Sequence, residues 1–168
     1  MPSATGPERG AFLWPLMPSP TAPPVPDGHP RPDCPLAVSE PFDLLAIPTS
    51  VRMARWHATD ILRRWGLLDE LEWQVLQTVS ELFGNCSNYA AGVLDAPPSV
   101  CTVTLRLFRD ALCVEVRDPW REPPMPQNPS CDDETGRGLR IVAALCTQVK
   151  ILPTEPGKTV VAVIPRES

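Results

Sequence analysis

Residues 79–92, VSELFGNCSNYAAG, carry two patterns on one predicted helix. Glu81 and Asn85 are four positions apart and therefore stack on one side of the helix, and Asn88 continues the row one turn later. The row lies roughly 100° from the middle of an apolar stripe, so it borders the core without having to enter it. The stripe, on a helix predicted from about residue 69 to 91, consists of Val75, Val79, Leu82, Cys86 and Ala90. Alone, such a row is usually an ordinary polar flank.

Upstream of this helix, the sequence predicts a strand and a first helix. FDLLAIP, residues 42–48, is typical of a short strand that ends at a proline. The next stretch, SVRMARWHATDILRRWGL, has apolar residues at helical spacing, and Gly66 is a natural helix stop. The apolar face of this first helix consists of Ala54, Ala58, Ile61, Leu62 and Trp65.

Downstream, the period of the apolar residues changes to two. CTVTLRLF (101–108) and LCVEVRD (112–118) predict a β-hairpin with one buried face. A short helix is predicted from Gly138 to about Cys146, and QVKIL (148–152) with TVVAVI (159–164) predicts a second hairpin. The order β-α-α-β-β-α-β-β favours an α+β fold with a mixed, mostly antiparallel sheet and helices on one face.

Composition sets the limits of the domain. Eleven of the 23 prolines lie in residues 1–35, so we interpret residues 1–36 as a disordered or polyproline-like arm that contains one apolar run, AFLWPLM, and residues 37–168 as the folded domain.

The net charge of −5, without a long run of either sign, argues against a nucleic-acid or membrane-surface binder. No signal peptide or membrane span is evident. The six scattered cysteines favour free thiols in a cytoplasmic protein over disulfides.

Three further features accompany the helical row. Asp118 ends a predicted strand and is followed by a long, proline-rich loop, residues 119–136, of a length that is usually functional or disordered. Gly136 and Gly138 flank Arg137 where a helix begins, so that backbone N–H groups can approach an anion. Thr159 opens the last strand within the sequence GKT. Each of these features alone is a weak signal.

In this order, the four blocks VSELFGNCSNYA, VEVRDPWREPP, GRGLRIVAALCTQV and PGKTVVAVI resemble the nucleotide-binding site of the GHKL, or histidine kinase-like, ATPases. Within that group they are most similar to the anti-sigma-factor serine kinases, especially the small ATP-binding proteins of actinobacteria. The resemblance covers about residues 38 to 165 and implies the Bergerat-type ATP-binding fold, a two-layer α+β sandwich.

The resemblance also implies roles for individual residues. Asn85 would bind Mg²⁺ through its side-chain oxygen, and Glu81 would orient the attacking nucleophile and accept its proton. Asp118 would accept a hydrogen bond from the adenine amino group, with Thr159 as a weaker candidate in the same pocket, and the proline-rich loop would close over ATP. The phosphates would be wrapped by the backbone of Gly136, Arg137, Gly138 and Leu139. Asn88 stands where relatives usually have arginine, so a basic phosphate contact is in doubt there.

The function implied is that of a protein-serine/threonine kinase. It would transfer the γ-phosphoryl group of Mg-ATP to a serine of a STAS-type anti-sigma antagonist and sequester a sigma factor. Relatives of this type often form homodimers. Two alternatives stay open: a non-catalytic ATP-binding interaction module, and a degenerate fold that serves only as an interaction surface. Glu81, Asn85 and Asp118, all retained, argue against the last of these.

Overall fold

The computed structural model describes residues 36–92, 99–120 and 137–166, which form an α+β fold. Its elements, in chain order, are β1 (Leu36–Leu45), α1 (Ser50–Trp65), α2 (Leu68–Gly92), β2 (Val100–Phe108), β3 (Ala111–Asp118), α3 (Arg137–Leu145), β4 (Gln148–Pro153) and β5 (Lys158–Pro165). The sheet has the order β1-β2-β3-β5-β4 with antiparallel pairing throughout. The predicted fold class and both predicted hairpins are therefore confirmed. The N-terminal arm and the loop over residues 121–136 lie outside the described residues.

The three helices pack on one face of this sheet, which we call the inner face. The predicted stripes of α1 and α2 are buried there, with Ala54, Ala58 and Val75 among the residues that have no exposed surface. α1 ends at Gly66, whose φ of +72° and backbone hydrogen bond to the Arg63 carbonyl complete a helix cap. The helices are also joined by a polar contact, since Arg55 Nη1 donates to Ser80 Oγ at 2.8 Å. No described helix is long and apolar enough to cross a membrane.

β1 begins earlier than the sequence predicts, at Leu36 rather than at residue 42. The additional residues contain Pro41, which interrupts the pattern expected of a strand. Because β1 is at the edge of the sheet and pairs only with β2 among the described strands, a missing backbone donor is tolerated there.

The predicted single buried face of the first hairpin is wrong, because both faces of β2 and β3 are buried. Val103, Leu105 and Val114 lie in the core on the inner face, as expected. On the opposite, outer face, Arg106 is 2% exposed and forms an ion pair with Glu115, which is also buried. The alternation of apolar and polar residues therefore predicted which face of the sheet each side chain is on, but not that the outer face is buried.

Two of the four cysteines in the described ranges are paired, against the prediction of free thiols. Cys86 lies on the inward stripe of α2 and forms a disulfide with Cys101 of β2, the strand beneath it. The spacing of the cysteines in the sequence does not predict this disulfide, because the two residues meet only when α2 packs on the sheet. Cys113 and Cys146 are free thiols.

Candidate functional site

The polar row on α2 lies against the start of α3. Glu81 is half-buried, and its Oε1 accepts a hydrogen bond from Gln77 Nε2 at 2.8 Å. The other carboxylate oxygen faces the backbone of Gly138: a Cβ atom on Gly138 would lie 2.3 Å from Oε2 of Glu81. Glycine therefore lets α3 begin in direct contact with this carboxylate. The structure brings together two residues that the sequence separates by more than 50 positions.

The row continues along α2 through Asn85 to Tyr89. Asn85 is half-buried and Asn88 is exposed. Tyr89, four positions after Asn85, occupies the next place on the same side of the helix. Its ring centroid lies 5.5 Å from that of Trp120. Tyr89 therefore connects this side of α2 to Trp120 at the end of β3. The sequence analysis did not assign this role to Tyr89.

At those strand ends, Asp118 is held by a buried lysine. Asp118 is 5% exposed, and its Oδ1 accepts hydrogen bonds from the backbone N–H of Trp120 and from Lys158 Nζ, both at 3.0 Å. Lys158 Nζ also donates to the Trp120 carbonyl at 3.0 Å and lies 5.8 Å from the Tyr89 ring centroid. Lys158 is opposite Asp118 in the register of β3 and β5. The sequence GKT contained this residue, but only pairing of the strands shows what it contacts.

Thr159 does not lie beside Asp118. Successive side chains of a strand point to opposite faces, and Thr159 pairs with Arg117, not with Asp118. Thr159 is buried on the outer face, whereas Asp118 and Lys158 are on the inner one.

The remaining predicted residues are at the start of α3. Gly138 and Leu139 lie in its first turn, where backbone N–H groups have no acceptor within the helix. Leu139 also packs against the core. Gly136 and the side chain of Arg137 are outside the described residues.

Gly157 fixes the approach of β5 to the strand that carries Asp118. It has a φ of +88°, and a Cβ atom there would lie 2.0 Å from the Asp118 carbonyl oxygen and 2.7 Å from Cα of Pro119. Both neighbours are backbone atoms, which cannot move aside as the end of a flexible side chain can. A residue with a side chain at this position would therefore separate the two strands at the Asp118–Lys158 pair.

We expect Gly157→Ala to lower the free energy of unfolding by more than about 3 kcal/mol, because left-handed backbone strain adds to this backbone overlap. Gly66→Ala is the matched control: Gly66 also has a positive φ, but no atom lies within 4 Å of the added Cβ. Its expected loss is about 1–2 kcal/mol, the strain alone. Urea unfolding of both variants gives the comparison, and equal losses would contradict the close approach at Gly157.

Taken together, the row and the two contacts at its ends define the candidate site. Tyr89 lies eight positions after Glu81, about 12 Å along the helix, with Asn85 midway. One end of the row contacts Gly138, and the other contacts Trp120 and Lys158 beside Asp118. The site therefore offers carboxylate and amide oxygens along a helix, backbone donors at one end, and aromatic rings with a buried acid at the other.

Comparison with known proteins identifies the family of this chain. The family model of the histidine kinase-like ATPase domain matches residues 44–164, most of the chain. The chain therefore belongs to the histidine kinase-like ATPase domain family, which confirms the resemblance to the GHKL group and supports ATP binding. No curated protein matches the chain.

Proposed function

We propose that this protein is a cytoplasmic regulatory kinase of the anti-sigma-factor type. It transfers the γ-phosphoryl group of ATP to a serine of a small STAS-type antagonist protein, and it sequesters a sigma factor. The observation that carries the proposal is the row of Glu81, Asn85 and Tyr89, which extends from Gly138 to the Asp118–Lys158 pair. ATP bound along this row has its phosphates near Glu81 and its base near Asp118.

The proposed transfer needs little covalent chemistry from the protein. The serine Oγ of the antagonist attacks the γ-phosphorus of ATP while the bond to the bridging oxygen breaks, so that ADP leaves with that oxygen. The proton of the serine hydroxyl passes to the Glu81 carboxylate, which is the proposed general base. Contact with Gly138 and the hydrogen bond from Gln77 hold this carboxylate in position. Because Glu81 lies against the start of α3, the base would be beside the backbone that is proposed to bind the phosphates.

Asn85 is the proposed protein ligand of Mg²⁺. Mg²⁺ prefers oxygen ligands and keeps several waters, so the ion would be held mainly by phosphate oxygens and water, with one amide oxygen from the protein. Asn85 fits this requirement because it is half-buried and one turn from Glu81. When bound, Mg²⁺ would supply neutralisation of the phosphate charge. The backbone at residues 136–139 is the proposed phosphate wrap, and Asn88 is an exposed candidate beside it.

Asp118 is the proposed acceptor for the adenine amino group. The base would enter beside the rings of Tyr89 and Trp120, which are 5.5 Å apart. Because Lys158 already donates to Asp118 Oδ1, adenine must share this carboxylate with the lysine or displace it. Thr159, on the opposite face, would contribute only indirectly.

The transfer itself is tested by incubating the protein with γ-labelled ATP and the STAS-type antagonists encoded in the same genome. We expect one of them to be labelled on serine. If none is labelled under conditions in which calorimetry detects ATP binding, the kinase proposal is wrong and the second candidate function stands. That candidate is a non-catalytic ATP-binding module, and it is favoured by one feature: Glu81 is the only residue of the proposed site that has a role in the chemical step, whereas the others would only bind the nucleotide or its metal.

Asn85→Ala is expected to weaken Mg-ATP binding by about 10- to 100-fold, since a charge-assisted ligand contact is lost. In EDTA, the affinity for ATP is expected to be nearly the same for the variant and the parent protein. Gln148→Ala is the matched control, because this exposed amide on β4 lies outside the proposed site. Isothermal titration calorimetry measures all of these affinities. Equal weakening by the two substitutions, or weakening that persists in EDTA, would exclude Asn85 as the metal ligand.

A further inference from the structure

Lys158 is a buried lysine whose ammonium group lies at the Asp118 end of the candidate site. It is 6% exposed, and its Nζ donates to Asp118 Oδ1 and to the Trp120 carbonyl, at 3.0 Å in each case. A lysine is almost never buried this deeply unless its charge is paired. Asp118 provides the opposite charge, so the two side chains form an ion pair inside the site.

The ammonium group is held beside Asp118 by the backbone as well as by its own contacts. Lys158 lies on β5 directly opposite Asp118 of β3, and the absence of a side chain at Gly157 lets the two strands approach at this point. A lysine that moved away would leave a buried carboxylate without its counter-charge, which is strongly destabilising. A carboxylate has about four lone-pair sites, so it can accept from several donors at once. A base that binds to Asp118 therefore shares this carboxylate with Lys158 and does not displace the lysine.

One N–H of this ammonium group remains for a ligand. An ammonium group has three N–H donors, and the hydrogen bonds to Asp118 and Trp120 use two of them. The third has no hydrogen-bond acceptor in the described part of the chain. Nζ lies 5.8 Å from the centroid of the Tyr89 ring, close to the limit of about 6 Å for a cation–π contact. A ligand acceptor at hydrogen-bond distance would be a stronger partner for this donor than the ring is.

The third donor is on the side from which a base would enter. Nζ is near both the Tyr89 ring and the Trp120 carbonyl, and the rings of these two residues border the proposed base pocket. Tyr89 is 37% exposed and Trp120 is half-buried, so a ligand can reach both rings from solvent. The carboxylate and the ammonium group therefore present an acceptor and a donor side by side to the same space.

Adenine carries the complementary pair of groups. Its amino group is a donor, and the ring nitrogens on either side of it, N1 and N7, are acceptors. We propose that Lys158 is a base-recognition residue, which donates a hydrogen bond to N1 or N7 of adenine while Asp118 accepts one from the amino group. This inference rests on the proposed function, because it requires ATP in this site, and it adds a second, oppositely directed contact with the base.

The inference is tested first in the unmodified full-length protein, by isothermal titration calorimetry with ATP, 1-deaza-ATP and 7-deaza-ATP. Each analogue replaces one ring nitrogen by a C–H group and keeps the amino group. We expect one analogue to bind about 10- to 100-fold more weakly than ATP, because a hydrogen bond from a charged donor is lost. The other should bind within about threefold of ATP. The weakened analogue identifies the nitrogen, and equal affinities for all three nucleotides would overturn the proposal.

Lys158→Met tests whether the lysine is the donor. We expect this variant to bind ATP and the weakened analogue with affinities that agree to within about twofold, since no donor is left to distinguish them. A lysine that only stabilises the fold would lower both affinities and leave their ratio unchanged, and that result would overturn the proposal. Lys150→Met is the matched control: it removes the same charge from β4, where Lys150 pairs with Val161 on the outer face. The full difference between ATP and the analogue should persist in this control.

Lys158→Met leaves the Asp118 carboxylate without its counter-charge, so urea unfolding first establishes that the variant is folded. If it does not unfold cooperatively, Lys158→Gln replaces it, because the glutamine amide is a neutral donor of similar shape. The ratio between ATP and the weakened analogue is then expected to fall below about threefold. A ratio as large as that of the parent protein would overturn the proposal.

A fourth nucleotide separates failure of this inference from failure of the proposed function. Purine ribonucleoside triphosphate lacks the amino group and is expected to bind about tenfold more weakly than ATP through loss of the contact with Asp118. If it is weakened while both deaza analogues bind like ATP, Asp118 keeps its role and only the role of Lys158 is overturned. If ATP itself does not bind, the site and this inference fall together. Base discrimination without transfer to any antagonist would overturn the kinase and support the role of Lys158.

Discussion

Replacing Glu81 with glutamine is expected to slow phosphoryl transfer to the partner serine by about 10²- to 10⁴-fold, the contribution of a positioned general base. Glutamine is nearly the same size as glutamate and fits beside Gly138, but it cannot accept the serine proton. The affinity for ATP should therefore change by less than about threefold. Single-turnover transfer measured at saturating ATP separates the chemical step from binding.

Glu72→Gln provides the control for this substitution. Glu72 is an exposed carboxylate on the same helix, and its replacement removes the same charge without touching the row. We expect the rate of transfer by Glu72→Gln to equal that of the parent protein. If Glu81→Gln transfers phosphate as fast as Glu72→Gln, the carboxylate at position 81 is only a polar flank of α2 and the proton acceptor is another group.

The second large effect is expected at the outer face, where Arg106 is the largest of the fully buried side chains in the described part of the chain. Arg106→Met leaves the buried Glu115 carboxylate without its guanidinium, so we expect a loss of about 3–5 kcal/mol in the free energy of unfolding. Adding Glu115→Leu removes the remaining charge and should recover most of that loss. Urea unfolding of the single and double variants measures the coupling between the two residues.

An exposed ion pair gives the comparison for this experiment. Arg64 donates to both carboxylate oxygens of Glu40, at 2.7 and 2.6 Å, but its side chain is 50% exposed. Arg64→Met is therefore expected to cost less than about 1 kcal/mol. A double variant at Arg106 and Glu115 that is less stable than Arg106→Met would contradict this prediction and show that Glu115 stabilises the fold through contacts other than that with Arg106.

The periodicity of apolar residues and the residues that end helices were enough to predict most of the fold. The inward stripe of α2, the stop at Gly66 and both hairpins are local patterns, because each depends on side-chain direction within one element. The start of β1 was missed since Pro41 obscures its pattern. Burial of Arg106 and the Cys86–Cys101 disulfide depend on which elements pack together, a property that no single segment carries.

In the candidate site, too, some features could be predicted from local sequence patterns and others depend on packing between elements. Glu81, Asn85, Asp118 and Gly138 could be selected from the sequence because their spacing matches a family pattern. The contact between Glu81 and Gly138, by contrast, needs α3 to pack on α2. Lys158 was missed because its carboxylate partner lies 40 residues earlier, on the neighbouring strand. Thr159 was assigned to the pocket from its motif, whereas strand alternation directs it to the opposite face.

The central position of β3 has a consequence for local unfolding. β3 is paired along residues 112–117 with β2 and along residues 111–118 with β5, so releasing this strand means breaking two ladders at once. α3 is only nine residues long and depends on packing for its stability. Amide hydrogens of β3 should therefore exchange only through global unfolding, whereas those of α3 exchange through smaller openings. We therefore expect the two ends of the site to differ in persistence: the Asp118 end should stay formed while the Gly138 end opens and closes.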